Sequence, residues 1–367
     1  MIPRWSLPGP SHFVSRVLGN LREGQNLVLP VPALVPIGIE TELERALVHE
    51  GWAVSGFMSE DAFPPLDQLF EVLHLEETSG TPRSVARLRQ RLSPGQIVLV
   101  HGIGIDSWPS WGALLIEYEV ASRDVSVFDR PLIIVVVSGV PLDQMPDQAA
   151  ALRVLPWWGV IGEFDTVLYA YEALRGRGPP NPRLRLVARI IARLALWDFD
   201  LVDYLLDVET RQLFDPALVL GQAARSLEYS VALDARWEAG GLQSIDGVEM
   251  KHPFLLLAGA DGCSELVMRL WAAHAAEILP ILELHRRALA QRMLPLLRKP
   301  IFLNEEEVQD INDVEIGALA YLARRQKLNA SILHDAEKLR RLRNKLAHLV
   351  PLDAEEALDR NLFPIAG

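Results

Sequence analysis

Ile97-Val98-Leu99-Val100-His101 and Ile133-Ile134-Val135-Val136-Val137-Ser138 are the two stretches that decide the fold. Neither alternates apolar with polar residues, which marks strands buried on both faces, as in the centre of a parallel sheet covered by helices. Outward from them, shorter β-branched runs complete a set of expected strands at 27–31, 52–57, 96–101 and 132–138. Helical patterns fall between them, near Ile39 to Glu50, Leu66 to Leu75, Pro82 to Leu92 and Trp111 to Ser122. A further helix, His12 to Glu23, precedes the first strand with Ser11 as its cap. Strands alternating with helices predict an α/β N-terminal domain with a mainly parallel, doubly wound sheet.

After Gly139 the strand signals fade and an all-α region is expected. Gly176 to Pro182 (GRGPPNP) is a breaker and a candidate boundary. Apolar residues at helical spacing (Ile190, Ile191, Leu194, Trp197) predict a helical stretch over Leu184 to Leu206. A Gly-rich irregular patch, Glu238 to Pro253, separates it from amphipathic helices expected near Cys263 to Leu297, Glu305 to Arg325 and Ser331 to Leu349. The expected domains are therefore 1–178 (α/β), 179–253 (helical) and 254–367 (a helical bundle). No internal repeat or low-complexity segment is present.

The chain has 367 residues, a net charge of −12 and 50% apolar residues, enough for two or more cores and too apolar for a disordered chain. No apolar run approaches the roughly 18 residues that span a bilayer, and Met1 to Pro10 lacks the features of a secretory signal. A cytoplasmic protein without membrane partners is expected. The single cysteine, Cys263, agrees, because it permits neither an intrachain disulfide nor a multi-thiolate zinc site. Acidity overall argues against a general nucleic-acid coat, but the charge is unevenly placed. Residues 1–263 hold 21 basic and 33 acidic side chains, whereas residues 264–350 hold 14 and 11, a balance of +3. All five lysines lie at or after position 251.

A doubly wound domain binds ligands at the carboxyl ends of its strands. Here the turn after the first strand reads Pro30-Val31-Pro32-Ala33-Leu34-Val35-Pro36-Ile37-Gly38. A Walker A loop needs glycines whose N–H groups wrap phosphate, a Lys for the terminal phosphates and a Ser or Thr for magnesium; only Gly38 is present, and three prolines remove donors. The order of strands, helices and a following helical block over about residues 7–210 resembles, in outline, the AAA or STAND class of P-loop NTPases. That resemblance implies a degenerate scaffold without ordinary nucleotide hydrolysis, and it places Ser138 at a sensor-like position. His101 and Asp106 follow the third strand as candidate ligand contacts, although packing of His101 and helix entry by Asp106 account for them better. No residue is assigned to a cofactor or a metal, and none is implied.

The most specific motif is Leu339-Arg340-Arg341-Leu342-Arg343-Asn344-Lys345-Leu346-Ala347-His348-Leu349. Its Arg343-Asn344-x-x-x-His348 core, with the acidic segment Asp310 to Gly317 upstream, resembles the HEPN superfamily, helical domains that include many metal-independent ribonucleases, over about residues 264–350. The resemblance implies a HEPN-like bundle, a site assembled across a two-fold interface, and a setting in stress response or antiphage defence. On an ideal helix Asn344 and His348 share a face, while Arg343 stands about 140° from His348. Metal-free RNA cleavage needs a base at the 2′-OH, an acid at the leaving oxygen and a cation for the phosphorane. His348 suits acid or base, Arg343 a phosphate clamp, Asn344 an orienting role, and Glu315 a support for Arg343. Arg324, Arg325, Lys327, Lys338, Arg340, Arg341 and Lys345 are candidate contacts to an RNA backbone.

Two readings stay open. One is an effector that binds or cleaves RNA, fused to an inactive NTPase-like sensor, with ATPase activity not expected. The other is a non-enzymatic scaffold whose helical block dimerises or docks a partner protein, since a basic last turn also complements the helix dipole and few aromatics (Trp271, Phe302, Tyr321) are available to stack on bases. A nucleotide switch using the loop after Val31 is a third, weaker reading. Cys263 reads as an inert thiol, His274 and His285 as packing residues, and the pairs Trp108/Trp111 and Trp157/Trp158 as core or interdomain packing, the second pair also as a candidate partner surface.

Overall fold

The structure, a computed structural model, describes residues 2–75, 82–177, 183–227, 233–303 and 305–363. The chain runs through α1 (Pro8–Arg22), β1 (Asn26–Val31), α2 (Ile39–His49), β2 (Ala53–Met58), α3 (Pro65–Val72), α4 (Val85–Arg91), β3 (Gln96–Ile103), α5 (Trp108–Ser122), β4 (Leu132–Ser138) and β5 (Leu152–Val154). The five strands form one parallel sheet in the order β2-β3-β4-β1-β5. The unalternating runs are the central strands, as their composition requires. In β4, Leu132, Ile134 and Val136 pack toward α1 and α2, while Ile133, Val135 and Val137 pack toward α3, α4 and α5. Both sets are buried, so every position is apolar.

Several departures from the sequence reading have local causes. Helix α1 starts at Pro8, whose ring fixes a helical φ in the first turn, so Ser11 lies inside the helix and is not its cap. Over 184–206 the chain forms two helices, α7 (Leu184–Ala195) and α8 (Phe199–Asp207), after α6 (Glu163–Arg175). Leu196 takes φ +58°, and the Asp198 carboxylate accepts from the N–H groups of Asp200 (3.0 Å) and Leu201 (3.1 Å) to restart the helix. The third departure is in strand content. Beyond Gly139 lie β5 and, after α9 (Pro216–Ser226), the hairpin β6 (Leu242–Ile245) and β7 (Val248–Lys251) within the patch read as irregular. Its turn, Asp246-Gly247, has both residues at positive φ, the conformation a two-residue hairpin loop demands.

Helix α10 (Ala260–Met293) follows, then a short pair β8 (Phe302–Leu303) and β9 (Glu306–Glu307), α11 (Ile316–Arg325), α12 (Ala330–Ala347) and α13 (Ala354–Ala357). The helix expected over 305–325 begins only at Ile316. Before it, Glu305 sits at φ +72° and the Asp310 carboxylate caps a single 3-10 turn. Of the candidate breaker, Gly176 to Pro182, residues 178–182 lie outside the described residues. On the α1/α2 side of the sheet the core is continuous from Leu7 through α7, α10 and α12 to Phe363, crossing both expected boundaries. Trp157 is part of it, edge-on to Phe13 and Trp5. Trp108 and Trp111 fill the core of the other face, their indole N–H groups bonded to the Gln144 carbonyl and the Ser59 hydroxyl. No helix among the described residues is long and apolar enough to cross a membrane.

Candidate functional site

The motif residues lie on the last turns of α12. Asn329 caps its start, accepting from the Ile332 N–H (2.9 Å), and Ile332, Ala336, Leu339, Leu342 and Leu346 form its buried stripe. At the far end the Val350 N–H reaches the Lys345 carbonyl (2.9 Å) and the Leu349 N–H reaches that of Leu346 (3.3 Å), with Leu349 left-handed at φ +60°. This is a Schellman stop with leucine where glycine is usual. Trp271 of α10 donates its indole N–H to the Leu346 carbonyl (2.7 Å), holding the last turn in place. His348 is the C-cap residue, and the motif therefore sits on a helix end fixed by its own closing turn and by α10.

Two cavities flank this helix end. Asn344 and His348 line an open groove of about 850 Å³ together with His334, Lys338, Arg341, Lys345 and Glu356. Arg343 lines a different cavity of about 430 Å³, with Glu283, Arg286, Arg287, Asp313 and Glu315. Both motif ends are exposed, and among the described residues neither the Arg343 guanidinium nor the His348 ring has a hydrogen bond or ion pair. Glu315 shares the cavity with Arg343 without an ion pair to it. The structured cation of that cavity is Arg286, which pairs with Glu283 (2.5 Å) and donates to the Val314 carbonyl (2.7 Å).

Of the seven cations expected to face RNA, five are engaged by carboxylates. Lys345 reaches Glu356 (2.6 Å) and Asp353 (3.8 Å), Arg341 reaches Glu356 (3.5 Å), and Lys338 is bonded to Asp359. Arg324 and Arg340 both reach Glu337 (2.5 and 2.8 Å). Arg325 and Lys327 remain exposed and without an ion pair among the described residues. Burial by itself raises Asp359, but the Lys338 ammonium and the Asn361 N–H outweigh it and hold the carboxyl below its ordinary range. N–H groups of the following turn, with Lys345, do the same for Asp353. Asp353 and Glu356 also cap α13 reciprocally. Sequence reasoning missed these partners, whose only signal is the three-residue spacing of Asp353, Glu356 and Asp359.

At the strand ends of the sheet, the backbone at the end of β1 and the start of the turn after it is bonded to neighbouring segments. The Ala33 N–H donates to the Glu238 carbonyl (3.1 Å), the Gly139 N–H to that of Val31 (3.3 Å) and the Trp157 N–H to that of Pro30 (2.9 Å). Gly240, at φ +80°, lies so close that a Cβ there would stand 2.9 Å from Leu34, so the segment around it lies directly on this turn. His101 is half-buried, while Asp106 and Ser138 are exposed. Cys263 is half-buried on α10, and no His, Cys, Asp and Glu cluster suited to a metal occurs among the described residues.

His252, His274 and His285 serve packing. His274 is fully buried, accepts from the Leu352 N–H at Nδ1 (3.2 Å), and burial pushes its pKa down to about 4. His285 Nε2 donates to the Leu362 carbonyl (3.0 Å), and buried His252 pairs with Asp198 (3.1 Å). No protein-family model and no curated protein sequence matches the chain.

Proposed function

We propose that this chain is a HEPN-like, RNA-cleaving effector whose site is formed by the end of α12, carried on an α/β domain of P-loop-like layout that does not turn over nucleotide. The observation that carries the reading is the pair Asn344 and His348, exposed on the wall of an open groove, with an imidazole ring that no group among the described residues engages. In the reaction the RNA 2′-oxygen attacks the adjacent phosphorus, its proton passes to a base, and the P–O5′ bond breaks as an acid protonates the leaving oxygen. His348 serves as one of these proton carriers, Asn344 orients it, and Arg343 holds the phosphorane oxygens.

Because Arg343 and His348 of one chain open into separate cavities, a complete site requires two copies, each supplying one flank of α12. This agrees with the two-fold assembly that the HEPN resemblance implies. The α/β domain is read as a sensor without phosphate chemistry, supported by the three prolines after β1 and by the Ala33 N–H spent on Glu238. A role in stress response or antiphage defence follows from the resemblance alone. The test is metal-free cleavage of single-stranded RNA by the wild type against His348→Ala.

A second reading is favoured by one specific observation: five of the seven candidate RNA-facing cations are already paired. On that reading the block is a partner-docking or dimerising scaffold without enzymatic activity. It predicts a stable complex with a protein partner and RNA left intact by wild type and variant alike.

A further inference from the structure

The groove beside His348 has an internal order that the RNA reading does not use. Along α12, His334, Lys338, Arg341, Lys345 and His348 follow one another at steps of four and three residues, which places them on a single face. Opposite them the chain returns antiparallel. Asp359 meets Lys338, Glu356 meets Arg341 and Lys345, and Asp353 lies farther along against Lys345. The acids are three residues apart and the cations three or four, so the two rows stay in step from Lys338 to Lys345.

The acidic row is built into the fold. Leu352, Ala357, Leu362 and Phe363 are buried in the main core, and the backbone is tied at both ends, by the Leu352 N–H to His274 and by the Leu362 carbonyl to His285. The segment therefore does not need to leave for its carboxylates to be displaced: rotation of side chains suffices.

We infer that Asp353, Glu356 and Asp359 stand in for RNA phosphates on the face of α12 that carries His348, acting as an intramolecular competitor that RNA must displace. The inference rests on the RNA reading above. It accounts for a cationic stripe that is neutralised in the free protein, and it makes binding dependent on a ligand with several adjacent negative charges. A single phosphate would exchange one ion pair for another with little gain, whereas a polyanion replaces the whole row and releases its own counterions.

The test compares the full chain with Asp353→Asn/Glu356→Gln/Asp359→Asn, isosteric changes that keep the capping hydrogen bonds of α13. Glu117→Gln/Asp124→Asn/Asp129→Asn, at exposed sites of the α/β domain, changes net charge equally and serves as control. Fluorescence polarisation with a labelled oligouridylate at low salt should show affinity tighter by on the order of tenfold for the first variant, with a salt slope steeper by about 2. The control should bind as wild type, and adding Arg341→Ala to the first variant should remove most of the gain. Glu356→Gln alone, the mildest change, should give part of it and guards against misfolding of the triple variant. Equal affinity of the two triple variants, or binding by neither, overturns the inference. Inorganic polyphosphate as a second probe separates it from the cleavage reading. A gain for both polyanions without RNA cleavage keeps the competitor and removes the nuclease, and cleavage without any gain does the reverse.

Discussion

Arg343 and His348, five residues apart, lie on opposite flanks of α12. The guanidinium opens toward Glu315 and Arg287, and the imidazole toward Lys345 and Glu356. The separation follows from helix geometry, about 140° between positions five apart, and Leu342 and Leu346, on the inner side of the same turns, are buried in the core. On the proposed reading, one chain therefore presents two half-sites.

Two half-sites predict complementation between chains. Arg343→Ala and His348→Ala should each abolish RNA cleavage, and an equal mixture refolded together should recover roughly a quarter of the wild-type rate, since half of the dimers then hold one intact site of two. Cleavage assays on the separate and mixed variants check this. A mixture as inactive as its parts would contradict the shared site.

The α/β domain should not bind nucleotide. The turn after β1 offers no Lys, Ser or Thr, its prolines lack donors, and the Ala33 N–H is committed to Glu238. Calorimetric titration with ATP or GTP and magnesium should give no saturable heat. Saturable binding would show that the segment over this turn moves aside.

Stability should fall in mild acid through His274. Its folded pKa, about 4, lies below the ordinary 6.5, so protons favour the unfolded chain. The contribution is complete above about 6.5 and is lost as pH falls toward 4, a total of about 3 kcal/mol. His274→Asn, whose side-chain oxygen can still accept from the Leu352 N–H, should flatten this part of a denaturation profile measured against pH. An unchanged profile would assign the acid sensitivity elsewhere.

The helix end that carries His348 is held at a conformational cost. Leu349 is left-handed and half exposed, so its side chain adds little packing. Leu349→Gly should stabilise the protein by about 1 kcal/mol in chemical denaturation, the usual penalty of an L-residue there. A loss of stability would show that the Leu349 side chain packs more than its exposure indicates.

How much of this was legible in the sequence follows from the range over which each feature is encoded. The central strands β1, β3 and β4 were readable because burial on both faces demands unbroken apolar runs. The strands β5, β6, β7, β8 and β9 hold two to four residues each, too few to print a period. The break between α7 and α8 depends on one left-handed leucine and one capping aspartate, which periodicity alone does not register. In the site, the helix carrying Arg343, Asn344 and His348 and the angle between them were readable. The pairing of Lys338, Arg341 and Lys345 was not, because Asp353, Glu356 and Asp359 reach them only after the chain reverses at Pro351 and buries Leu352, a tertiary event.

The central claim is that α12 ends in the half-sites of a metal-independent ribonuclease, and its most direct test is cleavage of single-stranded RNA in the presence of a chelator by wild type and His348→Ala, with folding of both verified by circular dichroism. The account predicts strand scission by the wild type, ending in 2′,3′-cyclic phosphates, and none by the variant. Intact RNA with both proteins, or equal cleavage by both, would contradict it.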